Sequence, residues 1–374
     1  MFNKIKDKLR RIIFGLLPKK KYIIFESLPD LSDNTKAVFD EMIKRGLNKK
    51  YKFIWWVTDK NKEFPKYENT IYIDTKHKKE YNKYLNRAKT LICCNQFLPS
   101  HIKGQTSFYL THGTALKKLG GYQIPSKINY NLIASEETKE LMSQAFNADI
   151  NTFHGLGFPR NDDLTNYKYD IHKLFKGEYK KIIVWYPTFR QHKNGLTTAT
   201  TGTIPILDDY KKAIKLNDIA KQEEILIVIK PHFAQDISYI TKYELSNIIF
   251  ITDEFFVNNK INSYQFVGKC DALITDYSSI YFDYLLCDKP IAAVWEDIEE
   301  YRIKPGFCTD IDYYMQGAEK VYTLEDLLNF IKNISKNVDN LKIERNKICE
   351  ETNYSKDGKN TKRVVDFIIE KAKL

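Results

Sequence analysis

The sequence predicts an α/β protein of two Rossmann-like domains facing a cleft, preceded by a basic amphipathic helix. Three observations carry this expectation. From Tyr22 onward short apolar runs alternate with helical patterns. The alternation restarts after a polar stretch at 161–180. The length of 374 residues also exceeds what one hydrophobic core usually organises.

In the first half, YIIF (22–25), KFIWWV (52–57), TLICC (90–94), SFYL (107–110) and YNLIA (130–134) read as strands. Their apolar residues run together rather than alternating, the mark of strands buried on both faces of a parallel sheet. NTKAVFDEMIKRG (34–46) and SEETKELMSQAF (135–146) read as the helices between them. The second half repeats the scheme with KKIIVWY (180–186), EILIVIK (224–230), NIIF (247–250), DALITD (271–276) and PIAAVW (290–295). Thr323 and Asp326 stand at capping-box spacing ahead of a helical tail. The expected divisions are a surface helix at 1–20, an N-terminal domain at 21–165, a C-terminal domain at 176–345 and a helical segment at 346–374. The polar loop GLTTATTGT (195–203) is expected to be a mobile lid.

At the N-terminus, Phe2, Ile5, Leu9, Ile12, Ile13 and Leu16 recur at three- and four-residue steps, while Lys4, Lys6, Lys8, Arg10 and Arg11 fill the other side. Pro18 stops the pattern, and no small-residue cleavage site of a secretory signal follows. The expectation is a helix in the membrane interface with Phe2, Lys4, Ile5, Lys8, Leu9, Arg11, Ile12 and Ile13 against anionic lipid. Docking on the protein's own core is the alternative. No apolar run approaches the roughly 20 residues that span a bilayer, so an integral membrane protein is not expected.

Lys and Arg number 59 against 48 Asp and Glu, a net charge of +11. That surplus points to an anionic partner: phosphate-bearing substrates, nucleic acid or an acidic membrane surface. No RNA-binding module is legible, so nucleic acid is not expected. The six cysteines include the adjacent pair Cys93 and Cys94 but no CxxC, so neither a disulfide framework nor a zinc site is expected. No metal site is predicted, and a divalent-cation requirement and the oligomeric state are left open.

Open α/β sheets bind ligands beyond the carboxyl ends of their strands. Four polar clusters fall there. In SFYLTHGTALKKLG (107–120), His112 follows a strand, where a near-neutral imidazole suits a general base. Gly113 permits close backbone approach, and Lys117 is expected in the first turn of a following helix, able to hold a phosphate. In VWYPTFRQH (184–192), Thr188 and Arg190 project from a loop, and Arg offers a phosphate two parallel donors. In ILIVIKPHF (225–233), Lys230 and His232 lie two apart on an extended segment and point the same way. In DALITDYSSIYFDYLLCDKPI (271–291), Asp276 reads as a helix N-cap, with Ser278 and Ser279 in the first turn as a phosphate cradle. Each has a structural alternative: satisfied histidines, a surface arginine, simple capping. A P-loop, a GxGxxG after the first strand and an HExxH are all absent.

In this order the clusters resemble the CDP-glycerol glycerophosphotransferase family, the primases and polymerases of teichoic acids and related capsules. The resemblance rests on SDNTKAVFDEM (32–42), THGTALKKLG (111–120), GFPRNDDL (157–164), YPTFR (186–190), KPH (230–232), TDYSSIYFDY (275–284), WEDIEEY (295–301) and YSKDGKNTKRVVDFI (354–368). It implies a GT-B fold and transfer of a polyol phosphate, glycerol phosphate foremost, from a CDP-polyol co-substrate to a lipid-linked saccharide or polyol-phosphate acceptor, releasing CMP without a further cofactor. By resemblance His112 is the base, with His232 as its catalytic counterpart on the donor side. Thr188, Arg190, Lys230, Ser278 and Ser279 meet the donor phosphates. Asp276 and Asp283 are placed at the nucleotide, Asp283 on the ribose from its position along the helix, and Gly113, Thr114 and Lys117 at the acceptor. Family members are monotopic, which implies peripheral attachment at the cytoplasmic face. Residue 115 is Ala where the family often has Pro, and Thr111 replaces a frequent aromatic. The short chain favours a primase or capsule enzyme over processive polymerisation. A glycosyltransferase of the same fold and a noncatalytic polyanion-binding module are the rival readings.

Overall fold

A computed structural model describes residues 12–59, 61–119, 121–166, 169–188, 203–232 and 235–374. The chain divides into two compact units. One comprises residues up to Thr114, Tyr122–Asp162 and Tyr354–Leu374; the other comprises Ala115–Gly121 and Asp163–Asn353.

Unit 1 holds a parallel sheet of seven strands: β1 (Tyr22–Glu26), β2 (Lys52–Val57), β3 (Thr70–Asp74), β4 (Thr90–Cys93), β5 (Thr106–Tyr109), β6 (Tyr130–Ile133) and β7 (Phe153–Gly155), in the order β3-β2-β1-β4-β5-β6-β7. Unit 2 holds six: β8 (Lys181–Trp185), β9 (Ile225–Ile229), β10 (Ile248–Phe250), β11 (Ala272–Thr275), β12 (Ile291–Val294) and β13 (Glu319–Val321), in the order β10-β9-β8-β11-β12-β13. Both are Rossmann-like, as predicted. The strand order reverses between β1 and β4 in unit 1 and between β8 and β11 in unit 2, the switch points where such sheets receive ligands.

The strands not predicted, β3, β7 and β13, are all edge strands. An edge strand has a neighbour on one side only, and these three are partly exposed and keep less of the continuous apolar run that marks an interior strand. The helix predicted at 34–46 spans Asp33–Lys44 and buries Val38, Phe39 and Met42 against β1 and β2. Thr323 and Asp326 form the predicted capping box on the helix Leu324–Ser335.

The divisions differ from expectation in three places. Leu164 and Ile171, in the polar stretch predicted as a linker, are buried in unit 2's core. The predicted C-terminal segment is shared: Lys342–Thr352 belongs to unit 2, whereas the helix Asn360–Ala372 belongs to unit 1 and buries Val364, Val365 and Ile368 there. Ala115–Gly121 belongs to unit 2. The last helix is fastened by Asp162, whose carboxylate accepts the N–H groups of Asn360 and Thr361 at 2.9 and 2.8 Å and caps it from a distant segment.

Residues 12–16 are helical, and Ile12, Ile13 and Leu16 are 54, 54 and 83% exposed. Phe2, Lys4, Ile5, Lys8, Leu9 and Arg11 lie outside the described residues, as do Arg190 and the predicted lid up to residue 202. Among the described residues no helix is long and apolar enough to cross a membrane.

Gly157 has φ of +83°, and a Cβ there would meet the Asn360 side chain at 2.1 Å. Gly157→Ala is therefore expected to lower the urea-unfolding stability of unit 1 by about 1–3 kcal/mol, the usual range for overpacking. An unchanged midpoint would show that the Asn360 junction yields freely.

Candidate functional site

The chain leaves β5 through a turn at 110–114 whose backbone carbonyls point inward. Thr111, with φ of 38°, is fully buried and donates its hydroxyl to the Leu132 carbonyl at 2.8 Å. Gly113 has φ of 138°, a conformation that a side chain would strain. The inward carbonyls are met by two buried side chains. Asn34 Nδ2 donates to the carbonyls of Leu110 and Thr111 at 3.2 and 2.9 Å. Arg160 Nη2 donates to the His112 carbonyl at 3.1 Å, while its Nη1 pairs with Asp33 at 2.8 Å and its backbone N–H donates to Asn34 Oδ1 at 3.1 Å. Three sequence segments, SDN, THG and FPRN, thus build one turn.

That turn leaves the His112 ring exposed. Its Nδ1 lies 3.1 Å from the Cys94 carbonyl oxygen and 3.4 Å from the Tyr109 hydroxyl. A carbonyl oxygen can only accept, so Nδ1 carries the proton and Nε2 presents its lone pair to solvent. Held in one tautomer, the imidazole is arranged to take a proton from a hydroxyl. Nearby the Tyr122 hydroxyl donates to the Asn95 carbonyl at 3.0 Å. Gly113 is half-buried beside the ring. Thr114 is 1% exposed, so its side chain belongs to the interior and not to an acceptor surface as expected.

The helix predicted to carry Lys117 does not form. Lys117 instead bridges Phe307 in antiparallel fashion, the Lys118 N–H donates to the Gly306 carbonyl at 2.9 Å, and the Cys308 N–H donates to the Leu116 carbonyl at 2.9 Å. Leu116 is 2% exposed in unit 2's core. Burial of Leu116 and backbone pairing with 306–308 outweigh the helical preference of ALKKL. Lys117 therefore belongs to unit 2, not to the acceptor side as expected.

In unit 2 the DYSS segment meets the same stretch. The Tyr277 ring lies 4.1 Å from Tyr301 and 5.5 Å from Phe307, and its hydroxyl donates to Asp297 at 3.0 Å. Asp276 is not an N-cap. Its buried carboxylate accepts the Thr188 N–H at 2.9 and 3.1 Å together with the Thr188 hydroxyl, pinning the loop after β8 across the switch point. The helix starts at Ile280, one turn later than predicted, with Ser278 and Ser279 half-buried ahead of it. Asp283 is 1% exposed and accepts the Tyr264 hydroxyl at 2.8 Å, so its carboxylate is satisfied inside the unit rather than offered to a ribose.

Lys230 pairs with Asp253 at 2.9 Å and lies 5.8 Å from the Tyr186 ring centre. His232 is exposed; partial burial and the Lys230 charge hold its imidazole below the ordinary value, against the pull of Asp253. At neutral pH it is therefore a neutral hydrogen-bonding group and not a cation. Thr188, Asp276, Ser278 and Ser279 gather beyond β8 and β11, and Lys230 and His232 follow the neighbouring β9. The residues that the sequence reading left without roles are Asn34, Arg160, Tyr109 and Asp297. All four stand inside quoted segments, but nothing in a motif says that a side chain turns inward to hold another loop.

Two Rossmann-like units, each with polar groups beyond its sheet's carboxyl edge, define a two-domain, doubly wound α/β architecture. The chain belongs to the CDP-glycerol:poly(glycerophosphate) glycerophosphotransferase family, whose model matches residues 9–370; it is an enzyme of that transferase family. It is 26% identical to a teichoic acid poly(glycerol phosphate) polymerase of Bacillus spizizenii over 96% of this chain and 94% of the relative. It is 25% identical to a teichoic acid poly(ribitol-phosphate) polymerase of the same organism, over 96% of this chain but 58% of the relative. The solved structure of the wall teichoic acid polymerase TagF has the same fold, with a TM-score of 0.75 and 23% identity over 100% of this chain and 97% of that one.

Asn34→Ala would strand two buried carbonyls and the Arg160 N–H. A loss of about 1–3 kcal/mol in urea unfolding is expected from such unsatisfied groups. A loss no larger than that of an exposed Asn→Ala would show that the turn holds its shape unaided.

Proposed function

We propose that this chain transfers a polyol phosphate, glycerol phosphate foremost, from a CDP-polyol to a hydroxyl of a lipid-linked acceptor and releases CMP, in the synthesis of teichoic acid or a related capsule polymer. The observation that carries the reading is the exposed His112 ring, held in one tautomer by the Cys94 carbonyl, in a chain of the glycerophosphotransferase family. His112 Nε2 takes the acceptor's hydroxyl proton as that oxygen attacks the β-phosphorus; the bond from this phosphorus to the bridging oxygen breaks, and CMP leaves with the bonding electrons. Unit 2 holds the donor, with Arg190, Lys230, Ser278 and Ser279 on its phosphates and His232 giving hydrogen bonds rather than charge, while Thr188, expected on the phosphates, spends its N–H and hydroxyl on Asp276 and shapes the loop instead. Gly113 leaves room for the acceptor beside the base. The protein's part is positioning and electrostatics, which suits a reaction whose covalent chemistry resides in the phosphate ester.

Membrane attachment is part of the reading. Ile12, Ile13 and Leu16 are exposed, the preceding segment is basic, and a lipid-linked acceptor requires the enzyme at a surface, the cytoplasmic face in this scheme. The B. spizizenii relatives are a glycerol phosphate and a ribitol phosphate polymerase, so a panel of CDP-polyols, followed by CMP release, separates the two donors.

His112→Ala is expected to cut transfer by about 10²–10⁴-fold, the usual contribution of a general base, with CDP-glycerol binding by calorimetry retained. Loss of binding instead would make His112 a donor ligand. Removing residues 1–17 is expected to release the enzyme from anionic liposomes while activity on a soluble acceptor persists; undiminished liposome binding would reject the surface helix.

A further inference from the structure

Glu26 closes β1 at unit 1's switch point, directly beside β4, where it is in register with Cys93. It is 3% exposed, a carboxyl group at a place where the mechanism above has no use for it. The Asn95 N–H donates to its Oε2 at 3.2 Å. The carbonyl oxygen of the same peptide unit, Cys94 O, is the one that accepts the His112 Nδ1 proton at 3.1 Å. A trans peptide is planar, with its N–H and C=O pointing opposite ways. One peptide group thus joins a carboxyl to an imidazole in a chain: Glu26 Oε2, the Asn95 N–H, the Cys94 C=O, the His112 Nδ1–H.

We infer that Glu26 is the positioning residue of the His112 base, acting through the Cys94–Asn95 peptide as the carboxylate of a serine-protease triad acts directly on its histidine. Hydrogen bonds in a chain polarise one another. A negative charge on Glu26 draws the amide hydrogen, enriches the Cys94 carbonyl oxygen and so stabilises the imidazolium formed when His112 takes the acceptor's proton. The inference rests on His112 being that base.

The surroundings suit a tunable carboxyl. Burial raises its pKa, the amides of Gln96, Asn95 and Cys94 pull it back, and the Asp30 charge raises it further, leaving it at about 7. The other titratable groups that feel its charge are Tyr81 from the helix Lys78–Leu85, Tyr109 from β5, Tyr122, and the thiols of Cys93 and Cys94 from β4 and its end. All five are pushed upward, chiefly by burial, and are neutral at pH 7. Asp30 is therefore the ionised neighbour that adds to the larger effect of burial in holding Glu26 up. It is anchored by the Thr58 N–H and hydroxyl at 3.0 and 2.8 Å.

The test follows deuterium exchange at the His112 ring carbon C2 against pH by mass spectrometry, alongside turnover of CDP-glycerol. Glu26→Gln keeps the shape and the amide hydrogen bond but removes the charge. It is expected to lower the His112 midpoint and to cut kcat about tenfold, less than the roughly 10²–10⁴-fold that the base itself contributes, with the KM for CDP-glycerol unchanged. Asp30→Asn frees Glu26 to ionise and is expected to move the midpoint the opposite way. Equal midpoints in the wild type and both variants would overturn the relay. Opposed midpoint shifts with unchanged turnover would uphold the coupling and place the failure in the assignment of His112 as base.

Discussion

The site in unit 1 depends on one constraint: the turn after β5 aims three successive carbonyls, of Leu110, Thr111 and His112, toward the protein interior, where each needs a donor. Asn34 and Arg160 supply them, and both are suited to it. An amide offers two N–H groups to adjacent carbonyls while its oxygen takes the Arg160 backbone N–H. A planar guanidinium can reach a carbonyl with one nitrogen and Asp33 with another, which a lysine ammonium would do with less fixed geometry. With the backbone held from behind, the imidazole faces outward in a single tautomer.

Unit 2 solves the matching problem differently. Its loop after β8 is pinned by a carboxylate, Asp276, that takes both the N–H and the hydroxyl of Thr188. Its DYSS segment is set by aromatic packing, with Tyr277 between Tyr301 and Phe307 and tied to Asp297. Aromatic faces and edges favour a small set of offset and tilted arrangements, so this cluster orients the Ser278–Ser279 backbone without requiring those hydroxyls. They are left half-exposed.

The two sheets also use carboxyl groups at their switch points in contrasting ways. Asp276 has two donors on one residue and serves as a fastener. Glu26 has the loop amides of 94–96 for company but also Asp30 and a dry setting, and its charge is held in balance. A satisfied carboxylate stabilises a loop, whereas a carboxyl poised between its two forms can act on a neighbour.

Much of this protein was legible in its residues. Runs such as KFIWWV and ILIVI could be nothing but strands buried on both faces, and their spacing with amphipathic helices determined two parallel sheets. The proposed site residues His112, His232 and the Ser278–Ser279 pair were likewise marked by standing just beyond those strands, as was Thr188, which the structure shows fastened to Asp276. Three of the four edge strands, β3, β7 and β13, were hidden because half-exposed segments lose the apolar run, and the Lys117 helix is not formed because local preference carries no knowledge of Phe307, 190 residues away in sequence. Inward roles were equally hidden: Asp276 reads as a cap until Thr188 is seen beside it, and Asp283 as a ligand until it is found buried against Tyr264. Local patterns decide which backbone forms; only the tertiary structure decides which polar side chains are consumed by other loops and which remain for a substrate, because that depends on partners far apart along the chain.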